Sequence, residues 1–191
     1  MNIAVLSDSH GSLSAWEKAE KYFTGNDLVL HAGDILYHGS RNPLPEGYDT
    51  SGLVSRINEG TGERYNFLAV QGNVDAAVDS LVLPYPLPRY AVYENDGFRI
   101  VLYHGDQHET LEERVDFAKR FGARLLVFGH THHPLLEERA GLILLNPGSI
   151  SLPKQEPAVP TMAVIEGGEI RIFNIDNGEI LHSFFIGKRN Y

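Results

Sequence analysis

Cysteine is absent from this chain. That excludes disulfides and thiolate ligands, so any metal site must use oxygen and nitrogen donors. Basic charge is not in excess either. Lys and Arg number 16 against 25 Asp and Glu, a formal net charge of −9, which argues against non-specific binding to a nucleic-acid backbone. No apolar run approaches the roughly 18 residues of a membrane-spanning helix. Met1-Asn2-Ile3 runs straight into a strand-like segment, without the basic and apolar regions of a secretory leader. The expectation is a cytoplasmic, bacterial-type protein with no membrane partner. Repeats, low-complexity stretches and linkers are also missing. At 191 residues the length suits a single domain with a sizeable core, expected over residues 1–191.

What is present is a recurring pattern: a short apolar run, then a glycine or a polar residue of chemical use. The clearest case is Leu125 to His133. Its apolar part reads as a buried strand, Gly129 turns the chain, and His130 and His132 follow at a spacing that leans both side chains one way. Ile3 to Ser7 leads to Asp8 and His10. Leu28 to Ala32 leads to Gly33-Asp34, with His31 inside the strand as a histidine expected in the core or behind the ligands. Phe67 to Gln71 leads to Gly72-Asn73-Val74-Asp75. Arg89 to Tyr93 and Phe98 to Tyr103 flank the hairpin signal Asn95-Asp96-Gly97, and the second arm ends in His104. In open α/β sheets, ligands bind at the carboxyl ends of strands.

Three helices are expected between these strands. One opens on a Ser14/Glu17 capping box and runs to about Phe23; a weaker one covers Ser51 to Glu59; a third is capped by Thr110/Glu113 and runs to Phe121. Leu135 to Arg139, Leu142 to Asn146, Thr161 to Glu166, Glu169 to Asn174 and Glu179 to Ile186 read as antiparallel strands. Ile35 to Asp49 is a long loop, either a lid or an ordered excursion.

Collected, the strand-end groups are Asp8, His10, Asp34, Asn73, His104, His130 and His132. They are too many for one tetrahedral ion but suit two ions sharing a carboxylate. Two divalent ions against the carboxylates Asp8 and Asp34 leave a positive centre, which would attract a phosphate ester.

The ordered set D-x-H, G-D, G-N, H-G and G-H-x-H from Asp8 to His132 resembles the signature of the calcineurin-like metallophosphoesterases. In finer detail, including the loop His38 to Tyr48 and the later Asn146-Pro147-Gly148-Ser149, the chain is similar to the YfcE-type bacterial phosphodiesterases. The resemblance implies a four-layer αββα sandwich of two mixed β-sheets flanked by helices. It implies that Asp8, His10, Asp34 and His132 hold one metal, and that Asp34, Asn73, His104 and His130 hold a second, with Asp34 as the bridge. It also makes these residues the catalytic set, for hydrolysis of a small-molecule phosphodiester by a metal-bound hydroxide. Manganese is the expected ion, and the ligand types also allow iron, zinc or nickel. A homo-oligomer is expected. His38, Arg41 and Asp75 are candidates for substrate contact, with Arg41 suited to a non-bridging phosphate oxygen. His108, His133 and His182 are expected at the surface or behind the ligands.

The chain departs from the wider superfamily at Val74. Many members have a histidine there as general acid, and YfcE-type relatives commonly a cysteine, whereas valine has no proton to give. Two alternatives remain: a monoesterase or cyclic-nucleotide phosphodiesterase on the same site, and a non-catalytic scaffold resembling the retromer subunit Vps29. A pure scaffold has no need of the full ligand set, which argues against the latter.

Overall fold

Both faces of the first strand, β1 (Ile3–Leu6), are buried, and alternate residues enter different cores. Ala4 and Leu6 pack outward with Trp16, Leu53 and Ile57, while Ile3 and Val5 pack inward with Ile100, Leu102, Leu125 and Val127. The computed structural model describes residues 2–23 and 27–187. After β1 come α1 (Leu13–Glu20), β2 (Asp27–His31), α2 (Thr50–Gly60), β3 (Tyr65–Ala69) and a 3-10 turn (Ala77–Leu81). Then follow β4 (Tyr90–Asn95), β5 (Phe98–Tyr103), α3 (Leu111–Lys119), β6 (Leu125–Val127), β7 (Leu135–Arg139), β8 (Leu142–Asn146), β9 (Thr161–Glu166), β10 (Glu169–Asn174) and β11 (Ile180–Phe185).

The strands form two mixed sheets, ordered β11-β10-β9-β1-β2-β3 and β4-β5-β6-β8-β7. In the first, β1, β2 and β3 are parallel and β9 returns antiparallel to β1. In the second, β5, β6 and β8 are parallel, with β4 and β7 antiparallel at the edges. One apolar cluster lies between the sheets, one beneath α1 and α2, and a third joins Val115 and Ala118 of α3 to Val101, Tyr103 and Leu126. This is the expected αββα sandwich. All five strands that precede site residues end at one rim of the two sheets. No helix among the described residues is long and apolar enough to cross a membrane.

Three local expectations need correction. α1 is capped by Ser12, whose hydroxyl accepts from the Ala15 N–H at 3.2 Å, and not by a Ser14/Glu17 box. Contacts distant in sequence pull the start forward: Leu13 N–H donates to Gly47 O at 3.0 Å, and the Ser12 hydroxyl donates to Glu46 O at 2.6 Å. The helix also ends at Glu20, with turns continuing to Phe23. β8 is antiparallel to β7 but parallel to β6, because it lies inside the sheet and is buried along its whole length. The 3-10 turn was not expected; it begins where the Asp79 carboxylate accepts from the Ala76 N–H at 2.8 Å.

Candidate metal centre

The ends of β1, β2, β3, β5 and β6 deliver all seven expected groups to one place. The chain reaches there at conformational cost. Asp8, His10, Asp34, His130 and His132 all have positive φ, between 47° and 67°, a region that L-residues enter rarely and mostly where function holds them. The motif glycines allow the loops to close. A Cβ at Gly129 would stand 1.8 Å from Ser7 Oγ, and one at Gly72 would stand 2.0 Å from Asp34 Oδ1.

Hydrogen bonds to main-chain carbonyls settle the tautomers. Nδ1 of His10 donates to Tyr37 O (2.6 Å), Nδ1 of His132 to Leu152 O (2.6 Å) and Nδ1 of His104 to Ala32 O (2.7 Å). In the neutral imidazoles each Nε2 is therefore a lone pair. Yet Nε2 of His10 and of His132 face one another at 3.1 Å. Both face Asp8 Oδ1, at 3.6 and 3.2 Å, a buried oxygen with no hydrogen-bond donor. Three converging acceptors in a buried site repel one another unless a cation sits among them. Beside them, His104 Nε2 lies 3.3 Å from Asp34 Oδ2 and 3.0 Å from Asn73 Oδ1, and His130 Nδ1 lies 2.8 Å from the same Asn73 oxygen. Asp8, His10 and His132 form one tight donor group, and Asp8, Asp34 and His104 a second, with donor atoms within 4.8 Å of one another in each. These oxygen and nitrogen sets fit a divalent transition ion. Asp8 is the carboxylate common to both tight groups, whereas the resemblance makes Asp34 the bridge.

Electrostatics follow the same convergence. Burial would raise the Asp8 carboxyl, but His132, His104 and His10 outweigh it and hold Asp8 well below the ordinary carboxylate range. Burial would lower His104, but Asp34 and Asp8 outweigh it and push the imidazole up to about 9. The carboxylates thus hold on His104 a proton that a metal ion would displace. Burial lowers both His10 and His130.

The substrate candidates divide. His38 and Arg41, with Gly39, Ser40 and Asn42, line a cavity of about 440 Å³ whose lining also includes Asp34, Asn73, His130 and His132. Val74 also lines it and packs beneath Gly39, where a Cβ would come within 2.7 Å of Val74 Cγ1. Asp75 is turned away and corrects the expectation of substrate contact. Its carboxylate accepts from the N–H groups of Asp34 (2.8 Å), Ile35 (2.7 Å) and Gly72 (2.8 Å), so it braces the two motif loops. Burial raises its carboxyl to about 6 against those hydrogen bonds. His31 is buried as expected, His133 and His182 are exposed, and His108 lies against Tyr103 and Phe117.

Other contributors had no assigned role in the sequence reading. Ser149 and Ser151 donate to Asp8 O at 2.8 and 3.0 Å, Ser7 donates to Asp8 Oδ2 at 2.6 Å, and Asn146 Nδ2 donates to Gly129 O at 2.8 Å. The Asn146-Pro147-Gly148-Ser149 motif was the visible signal, and its loop buttresses the two strand ends that supply Asp8, His130 and His132.

Residues 1–168 match the family described as the calcineurin-like phosphoesterase superfamily domain. The chain belongs to this superfamily. It is a phosphoester hydrolase by class. The phosphodiesterase YfcE of Escherichia coli K12 is 36% identical over 159 residues, 81% of this chain and 82% of YfcE. A probable metallophosphoesterase of Methanothermobacter thermautotrophicus is 32% identical over 171 residues, 86% of each chain. The solved structure of YfcE superposes with a TM-score of 0.82 at 28% identity, over 98% of this chain and all of YfcE, 100%. Vacuolar protein sorting 29 of Cryptosporidium parvum superposes with a TM-score of 0.69 at 19% identity, over 96% and 97% of the two chains, a likeness of fold alone.

Proposed function

We propose that this chain is a dinuclear metal-dependent phosphodiesterase. The observation that carries the reading is the meeting of the His10 and His132 lone pairs at the donorless Asp8 oxygen, beside the group of Asp34, Asn73, His104 and His130. Asp8, His10, Asp34 and His132 would hold one ion, and Asp34, Asn73, His104 and His130 the other, manganese being the first choice. Ions held by these residues would supply charge neutralisation for an in-line displacement and would lower the pKa of an attacking water. The protein's share is positional. Tyr37 O, Leu152 O and Ala32 O fix three imidazole planes, and the second-ion side, with Asn73 exposed, opens to the cavity. Arg41 on the cavity wall offers the substrate a guanidinium. The same reading makes the substrate a small-molecule phosphodiester, the compartment the cytoplasm and the assembly a homo-oligomer.

The test is reconstitution. After chelation the protein should be inactive on bis-p-nitrophenyl phosphate, and added manganese, iron, zinc or nickel should restore turnover at about two ions per chain by elemental analysis. An active enzyme saturated by one ion would overturn the dinuclear reading. Comparing the diester with its monoester and with cyclic nucleotides decides between the phosphodiesterase and its two enzymatic rivals.

A further inference from the structure

We propose that the substrate carries a second anionic group, a phosphate or carboxylate on the arm beyond the ester under attack, and that Lys154 with Arg41 receives it at the cavity mouth. This rests on the phosphodiesterase reading above. Lys154 lines the same cavity as the loop carrying Arg41. Its position is built in: the Lys154 N–H donates to His132 O at 3.3 Å, and Leu152, two residues before it, accepts from His132 Nδ1. The segment that orients a metal-ligand candidate therefore also presents this ammonium. The loop that carries Arg41 is closed by Asn42 Nδ2 donating to His38 O at 2.9 Å.

Charge makes the pair informative. Many cations of this chain find partners among its 25 acidic residues, although Lys21, Lys119, Arg120 and Arg124 make no ion pair among the described residues. Lys18 pairs with Asp176, Arg56 and Arg64 with Glu20, Arg89 with Asp106, and Arg99 with Glu94. The other large cavity, about 460 Å³ beside α1 and α2, is lined by Lys21, Arg56 and Arg64 together with the carboxylates of Glu17 and Glu20, whereas among the described residues Asp34 is the one acidic side chain in the lining that holds Arg41 and Lys154. Arg41 and Lys154 are both exposed, and neither makes an ion pair among the described residues. Two divalent ions over Asp8, Asp34 and a hydroxide would already balance a singly charged diester, so two further cations lining the cavity call for further negative charge. The space allows it: about 440 Å³ is on the order of a dozen water volumes, more than a phosphoryl group fills.

The experiment uses metal-loaded full-length protein and p-nitrophenyl phosphodiesters that share a leaving group but differ in the second arm: glycolate (anionic), ethyl (neutral) or choline (cationic). We expect kcat/KM to fall in that order, with the glycolate ester preferred to the ethyl ester by about tenfold, the combined effect of two exposed cations. The preference should shrink as salt is raised. Lys154→Met should reduce the glycolate-to-ethyl ratio several-fold, and Lys154→Arg should keep it. Calorimetry supplies a readout without turnover: phosphoglycolate should bind more tightly than ethyl phosphate, and Lys154→Met should narrow that gap. Equal rates across the arms, or a ratio that Lys154→Met leaves unchanged, overturns the proposal. If no arm is hydrolysed while phosphoglycolate keeps its Lys154-dependent advantage, the phosphodiesterase reading falls and the anion site stands.

Discussion

At the scale of single residues, Val74 and Arg41 decide how the substrate is handled. Val74 lines the cavity and supports the Gly39 turn, but it has no proton for a departing alkoxide. General acid catalysis typically contributes about 10²–10⁴-fold, and its absence hurts most for basic leaving groups. Rates across a leaving-group series should therefore depend steeply on leaving-group pKa, with nitrophenyl diesters far ahead of alkyl ones. A flat series, taken where chemistry limits the rate, would mean that another group, such as His38 at the cavity wall, supplies the proton. Val74→His is the poorer test, because the larger ring must fit beneath Gly39. Arg41→Ala should raise KM for a diester and leave the metal content intact, since Arg41 lines the cavity but belongs to neither donor group. A loss of roughly 1.5–3 kcal/mol, the range for hydrogen bonds to charged groups, would show in kcat/KM. An unchanged value would remove Arg41 from the site.

At the scale of elements, the site depends on loops tied to one another across the sheet ends. Ser12 is the clearest such tie. It caps α1 and donates to Glu46 in the long loop whose earlier part carries His38 and Arg41. Ser12→Ala removes a helix cap and leaves a carbonyl partner unmet, for a cost of about 1–2 kcal/mol. Urea unfolding should show a lower midpoint with an unchanged slope. The sequence pointed to a neighbouring serine, because a capping box is a local pattern and the choice of Ser12 over Ser14 was made by the carbonyls of Glu46 and Gly47. The α3 cap had no such competitor: Thr110 Oγ1 accepts from the Glu113 N–H at 3.2 Å, and Glu113 accepts from the Thr110 N–H at 3.0 Å, as read from the sequence.

At the scale of the whole molecule, His31 links the core to pH. Its Nδ1 accepts from the Gly33 N–H at 3.2 Å. Ser9 gives its own proton to Ile35 O (2.9 Å), so His31 Nε2 must donate to the Ser9 oxygen (3.0 Å). The imidazole is neutral, satisfied and fully buried, and burial lowers its pKa from 6.5 to about 3. Below pH 6.5 the unfolded chain takes up a proton here that the folded one refuses. Stability should therefore fall with pH from about 6.5 towards about 3, by up to about 1.4 kcal/mol per pH unit from this group, with no contribution above that window. His31→Gln, though less stable near neutrality, should show a shallower slope by about one proton in unfolding measured from about pH 6 to about pH 4. An equal slope would assign the acid sensitivity elsewhere. The sequence by itself determined the strand-end constellation and the oxygen-and-nitrogen character of the site, because each follows from residue type and from the two-residue period of strands. Only the tertiary structure decided that Asp75 braces the motif loops, that β8 runs parallel to β6 inside its sheet, that Ser149 and Ser151 support Asp8, and that Lys154 shares a cavity with Arg41. Those outcomes depend on which loops meet across the sheet ends, and residues far apart in the chain set that.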